Sequence, residues 1–219
     1  MQMRGTMVKI TCLHTAQVHV DRFDGLFAAQ GWDGALDHIV RPDLLARAQA
    51  DGIEAVAEDL HTLLEGAEGV DAVLCTCSTL GPLVDRFDRP TVLRIDRPAM
   101  TAAAAYPDVL IAVCLESTRS ASLALFEDCA KGTAAQAQVV ICPAAWPHFE
   151  AGDMNAFYRQ IAQSVGQAVI AAPQTACIVL AQASMQGAAM LLSDMGVPVL
   201  ATPVLAVRQA IRIARQAPA

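Results

Sequence analysis

Short apolar runs alternate with amphipathic stretches along nearly the whole chain, and that rhythm leaves few folds open. Strand-like runs fall near residues 8–13, 35–40, 73–77, 90–95, 108–115, 139–142, 176–182 and 198–201. Between them lie segments whose apolar residues recur at helical spacing, such as Val56, Leu60, Leu63 and Leu64, or Leu123, Leu125 and Phe126. Strand–helix alternation of this kind calls for parallel sheets covered by helices, because each crossover lays a helix on a sheet face. Longer helices are expected over residues 18–30, 53–64 and 153–171, and from residue 185 to Met195, where Gly196 supplies the usual C-terminal stop.

The rhythm occurs twice. Thr11-Cys12-Leu13-His14-Thr15 parallels Val113-Cys114-Leu115-Glu116-Ser117. Val73-Leu74-Cys75-Thr76-Cys77-Ser78 parallels Val179-Leu180-Ala181-Gln182-Ala183-Ser184, and Pro90-Thr91-Val92 parallels Pro198-Val199-Leu200. Three ordered matches at nearly constant spacing predict an α/β protein of two pseudo-symmetric lobes, each a roughly four-stranded parallel sheet flanked by helices. The expected division is residues 1–98 and 99–203, with the C-terminal helix at 204–219 packing back on the first lobe. Ligands of such sheets bind beyond the carboxyl ends of the strands, so the polar corners there are expected to line an active-site cleft between the lobes.

Composition narrows the function. The chain of 219 residues is 54% hydrophobic and 17% charged, the balance of a folded globular protein. A net charge of −7, with no local run of lysines or arginines, excludes a nucleic-acid partner. The odd number of cysteines, seven, and their placement in apolar runs argue for buried free thiols rather than a disulfide framework. Residues 1–6 carry no signal-peptide pattern, and the longest apolar runs are broken by Pro, Gln, Ser and Gly. A reducing cytoplasm and no membrane partner are expected.

The stretch Val73-Leu74-Cys75-Thr76-Cys77-Ser78-Thr79-Leu80-Gly81-Pro82 carries the chemistry. It reads as an apolar strand running into a polar turn, with Ser78 and Thr79 suited to cap a helix and Pro82 to its first turn. A thiol at that point faces free N–H groups and a positive dipole end, which lower a cysteine's pKa and favour anions. Abstracting a proton α to a carboxylate builds charge on the carboxylate oxygens, and hydroxyl and backbone N–H donors in a closed site stabilise it. Ser78-Thr79, Ser117-Thr118 and Ser184 supply such donors at strand ends, and each is equally a helix cap. Cys77 can act as acid or base in this set if its pKa approaches ambient pH; otherwise it is a small buried residue at a strand end.

These features together resemble the aspartate/glutamate racemase superfamily, over essentially the whole chain in order and spacing. Members have two pseudo-symmetric lobes, each offering a strand-end cysteine that works at the substrate's α-carbon without pyridoxal phosphate. Cys77-Ser78-Thr79 matches the first motif, Cys-Asn-Thr or a close variant. The resemblance implies that Thr118 helps hold the substrate carboxylate and that His14-Thr15 lines the substrate. The second motif, Gly-Cys-Thr, is replaced by Leu180-Ala181-Gln182-Ala183-Ser184-Met185, so its cysteine falls at Gln182 or Ala183. Cys177 lies at the other end of that strand.

Three readings follow. The first is a cofactor-independent racemase or isomerase acting at the α-carbon of a small carboxylate, an amino acid or related acid, through a stabilised enediolate. The second is a single-cysteine lyase such as a malonate-type decarboxylase, and the third a small-carboxylate-binding protein without turnover. Cys77 is the candidate catalytic residue; Ser78, Thr79, Ser117, Thr118, His14, Gln182 and Ser184 are the candidate substrate contacts. Arg94 and Arg97, at the end of the 90–95 strand, either steer an anionic substrate or pair with Asp96 or Asp88. His38, His61 and His148 show no metal-ligand spacing with one another or with a cysteine, so no metal and no cofactor are expected. The partner is a small-molecule carboxylate, and homo-oligomerisation stays open.

Overall fold

The computed structural model describes residues 7–67 and 69–217. The expectation about a leader segment at residues 1–6 lies outside the described residues. Among the described residues, eight strands alternate with helices: β1 Lys9–His14, β2 Ala35–Val40, β3 Ala72–Cys75, β4 Val92–Arg94, β5 Asp108–Val113, β6 Gln136–Ile141, β7 Cys177–Leu180 and β8 Val199–Ala201. The α-helices are α1 His19–Ala29, α2 Pro42–Asp51, α3 Ala57–Glu65, α4 Gly81–Asp85, α5 Arg97–Ala103, α6 Glu116–Cys129, α7 Trp146–Glu150, α8 Met154–Ala171 and α9 Thr202–Gln216.

The chain divides into two compact units, Met1–Ile95 with Ala206–Ala219, and Asp96–Leu205. The first holds a four-stranded parallel sheet in the order β2-β1-β3-β4, the second one in the order β6-β5-β7-β8. The connectivity is the same in both, which is what the repeated sequence rhythm predicts. In each sheet the third strand in sequence lies inside, and its residues are apolar throughout: Ala72–Cys75 and Cys177–Leu180 are fully buried. A strand covered on both faces has no polar side to alternate with, so it reads as a continuous apolar run.

Helices cover these sheets through narrow apolar faces. Phe23 and Phe27 of α1 are at most 1% exposed, as are Leu60 and Leu64 of α3. In the second unit Phe157, Ile161 and Val165 of α8 pack with Leu110, Ile178 and Leu180 on one face of the sheet. Leu125 and Phe126 of α6 pack with Val109, Ile111 and Val179 on the other. Asp153 starts α8 as an N-cap, its Oδ1 accepting from the Ala156 N–H at 2.9 Å. Among the described residues, no helix is long and apolar enough to cross a membrane.

One expected helix is of a different kind. Residues Ala183–Met195 form a run of tight 3₁₀ turns rather than an α-helix, ending at Gly196 in the left-handed conformation with φ 73°. The segment also runs close against α8. The ring of Tyr158 from α8 lies where a Cβ at Gly187 would stand, so the segment hugs α8 closely.

Candidate functional site

The Cys77 corner follows from the register of the first sheet. β3 pairs with β1 through Leu13↔Cys75, and the Thr76 N–H donates to the Leu13 carbonyl at 2.9 Å. The strand ends there, and Cys77 stands with extended backbone (φ −103°, ψ 109°) at the start of a 3₁₀ turn, Ser78–Leu80, that leads into α4. Cys77 rather than Ser78 is therefore the N-cap residue, and Ser78 and Thr79 lie within the turn without capping it by a side-chain bond. Cys77 is 8% exposed. The Thr15 hydroxyl, the backbone N–H groups of Leu80 and Thr79, and the Thr79 hydroxyl bond to its sulfur. Each favours the thiolate, but burial outweighs them together and pushes the thiol above its ordinary value. The expected net lowering is thus corrected: the donors are in place, and desolvation wins.

Thr15 is the residue of this corner that the motif reading undervalued. It follows His14 at the end of β1, is 8% exposed, and reaches the Cys77 sulfur. His14 does not present a free ring to a ligand. Its ring is fully buried, with Nδ1 2.8 Å from the Thr76 hydroxyl and Nε2 2.8 Å from His38 Nδ1. Burial first, then His19 and His38, lowers its pKa to about 3, so it is a neutral imidazole at physiological pH and no cation for a carboxylate.

Arg94 is also committed. It is 4% exposed and ion-paired with Asp85, and its guanidinium occupies the space beside Gly81 where a side chain would stand. Arg97 pairs with Asp128 at 2.9 Å. A buried, paired Arg94 is no steering group.

The second unit shows what stands at the equivalent corner. β7 pairs with β5 through Ala112↔Leu180, and the Ala181 N–H donates to the Ala112 carbonyl at 3.0 Å. Ala181 therefore matches Thr76, and Gln182 matches Cys77. Gln182 too is an extended N-cap residue (φ −119°, ψ 143°) opening a 3₁₀ segment. The register left open between Gln182 and Ala183 is thereby resolved in favour of Gln182. Likewise Cys114, one residue past the end of β5, matches Thr15, not Cys12 as the sequence repeat suggested. Gln182 is 7% exposed, and its Oε1 accepts from the Cys114 backbone N–H. That commits the acceptor end of the amide and leaves the NH2 end as a donor.

The remaining candidates divide by burial. Thr118 is fully buried in the first turn of α6, its hydroxyl donating to the Leu115 carbonyl at 2.7 Å, while Ser117 beside it is exposed. Ser184 is 4% exposed within the 3₁₀ segment. Spacing along the chain failed in one further respect. Because β1 and β2 pair with Cys12↔His38, the side chains of Cys12, His14 and His38 cluster, with their potential ligand atoms all within 4.8 Å of one another.

No protein-family model matches the chain, and no curated protein matches it by sequence. Solved structures do match. An aspartate racemase from Picrophilus torridus is similar with a TM-score of 0.72 at 13% identity, over 95% of this chain and 94% of that one. Glutamate racemase isoform RacE1 from Bacillus anthracis gives 0.73 at 12% identity, over 96% and 83%. A variant of arylmalonate decarboxylase in its sulfate-associated form gives 0.62 at 16% identity, over 96% and 94%. The register, the doubled topology and these likenesses agree: the chain has the fold of the aspartate/glutamate racemase superfamily.

Proposed function

We propose that this protein is an enzyme of the racemase-superfamily type that acts at the α-carbon of a small carboxylate, without a cofactor, using Cys77 as its acid/base group. The observation that carries the reading is the Cys77 corner itself. A thiol at a strand end lies among two hydroxyls and two backbone N–H groups, the donors that stabilise an anion formed there. Thr15, Ser78 and Thr79 are its proposed neighbours in the substrate site. The corresponding corner of the second unit opens with Gln182-Ala183-Ser184, which has no thiol. A two-thiol racemase is therefore the less natural form of this activity, and a one-base isomerase or a decarboxylating lyase the more natural one. Similarity to a decarboxylase as well as to racemases supports keeping both reaction types in view.

The test is a panel of amino acids, hydroxy acids and substituted malonates incubated with the protein in D2O. α-Hydrogen exchange, product stereochemistry and CO2 release are followed together. Exchange into both enantiomers marks a racemase, exchange with retention a one-base isomerase, and CO2 loss a lyase. Binding with neither exchange nor CO2 loss leaves a carboxylate-binding protein and ends the enzymatic reading.

A further inference from the structure

The first unit holds a second group of chemically capable side chains, on the face of the sheet covered by α1. Cys12 and His14 are two residues apart on β1 and so point to the same face, and His38 on β2 lies beside Cys12 in register. Cys12 and His14 are fully buried, whereas the His38 side chain is 13% exposed. Asp24 of α1, 58% exposed, receives His38 Nε2 at 3.2 Å.

The two imidazoles are held in place from their far sides. A carboxylate only accepts, so His38 donates to Asp24 through Nε2–H and turns Nδ1 toward His14. The Thr76 hydroxyl stands 2.8 Å from His14 Nδ1 and 3.1 Å from the Leu13 carbonyl, which turns His14 Nε2 toward His38. His14 Nε2 and His38 Nδ1 face each other at 2.8 Å, with the Cys12 sulfur within 4.8 Å of both. Three potential ligand atoms of the types that bind zinc thus converge on one point.

We propose that Cys12, His14 and His38 form a binding site for a divalent transition-metal ion, Zn²⁺ by ligand type, with Asp24 and Thr76 orienting the two imidazoles. One thiolate and two imidazoles suit zinc, and a carboxylate or oxygen on the far nitrogen of each ring is the usual support for a ligating histidine. In a tetrahedral site with Zn–N bonds of about 2.0–2.1 Å, two imidazole nitrogens stand roughly 3.3 Å apart. The His14–His38 pair needs to open by only about half an ångström to reach that. On binding, the Cys12 S–H bond breaks, a Zn–S bond forms, and the proton leaves to solvent. The fourth position takes a water on the partly exposed His38 and Asp24 side.

The whole protein, stripped with a chelator and titrated at neutral pH with ZnCl2 against a chromophoric competitor, is expected to take up one ion per chain. CoCl2 in the same protein is expected to give a sulfur-to-cobalt charge-transfer band. Cys12→Ser should abolish that band. His38→Gln, at a partly exposed position that tolerates the change, should weaken zinc binding at least about 10-fold. Asp24→Asn, acting through His38, should weaken it by about 10-fold or more. Cys129→Ser and His61→Gln, at sites outside the cluster, should change neither. Absence of stoichiometric binding, or binding and a cobalt band that survive in both Cys12→Ser and His38→Gln, overturns the site. The His14–His38 contact is then an ordinary hydrogen bond within a polar chain from Thr76 to Asp24.

Discussion

Cys77 and Gln182 occupy the same place in two copies of one topology, and they use it differently. Both follow an interior strand of their sheet, both are extended N-cap residues, and both open a 3₁₀ segment. At the first, the residue after β1, Thr15, bonds the sulfur through its hydroxyl. At the second, the matching residue, Cys114, offers its backbone N–H to the glutamine oxygen. One corner thus holds a group that can gain and lose a proton, supported by donors. The other holds an amide that cannot titrate and is tied to its own sheet. The backbone site is the same in both units; the side chain alone decides whether a titratable group stands there.

That contrast can be tested from its largest consequence downward. Thr15→Val removes one hydroxyl from Cys77 and should lower any Cys77-dependent rate by roughly 10²–10³-fold, the scale for losing one donor to a developing anion. Substrate binding measured alongside should change much less. Gly81→Ala drives a methyl group into the Arg94 guanidinium, and Gly187→Ala does the same against the Tyr158 ring. Each should destabilise the protein by about 1–3 kcal/mol in urea unfolding. The Gly81 variant alone should also disturb any Cys77-dependent rate, since Gly81 opens α4 directly after the turn that Cys77 begins.

The pH dependence should report the same corner. The Cys77 thiol is raised above the ordinary thiol value of 9.0. A step that uses the thiolate as base should therefore quicken about tenfold per pH unit through neutrality and show no plateau below pH 9. The folded state's preference for the neutral thiol stabilises the protein fully below that ordinary value. It is lost as pH rises through the folded value. Thr15→Val should move the rise to still higher pH. The smallest effect is expected from Gln182→Ala, which leaves the Cys114 N–H without its acceptor at a cost of about 1–2 kcal/mol in unfolding free energy. It should barely alter a Cys77-dependent rate.

Much of the fold was legible because burial on both faces imposes unbroken apolar runs on β3 and β7, and because the helices between strands keep their spacing. The Cys77 corner was legible for the same reason, since a polar turn after such a run marks a strand end. Cross-strand facts were not. Cys12 and His38 are far apart in sequence yet side by side in parallel register, so metal-ligand spacing along the chain says nothing about them. The matching of Thr15 with Cys114 was hidden because similar letters, Cys12 and Cys114, sit in different registers. The close approach of Gly187, within Ala183–Met195, to Tyr158 is a tertiary fact with no local signature. The net rise of the Cys77 pKa depends on burial, which a helix-terminus argument leaves out.

The central claim is that proton transfer at the substrate α-carbon runs through Cys77. Its most direct test is the rate of α-hydrogen exchange in D2O, measured by NMR on the best substrate of the panel, for the wild type, Cys77→Ala and Gln182→Ala. A loss of roughly 10²–10⁴-fold in Cys77→Ala, with Gln182→Ala within about tenfold of wild type, is the predicted result. Exchange that persists at the wild-type rate in folded Cys77→Ala would contradict it.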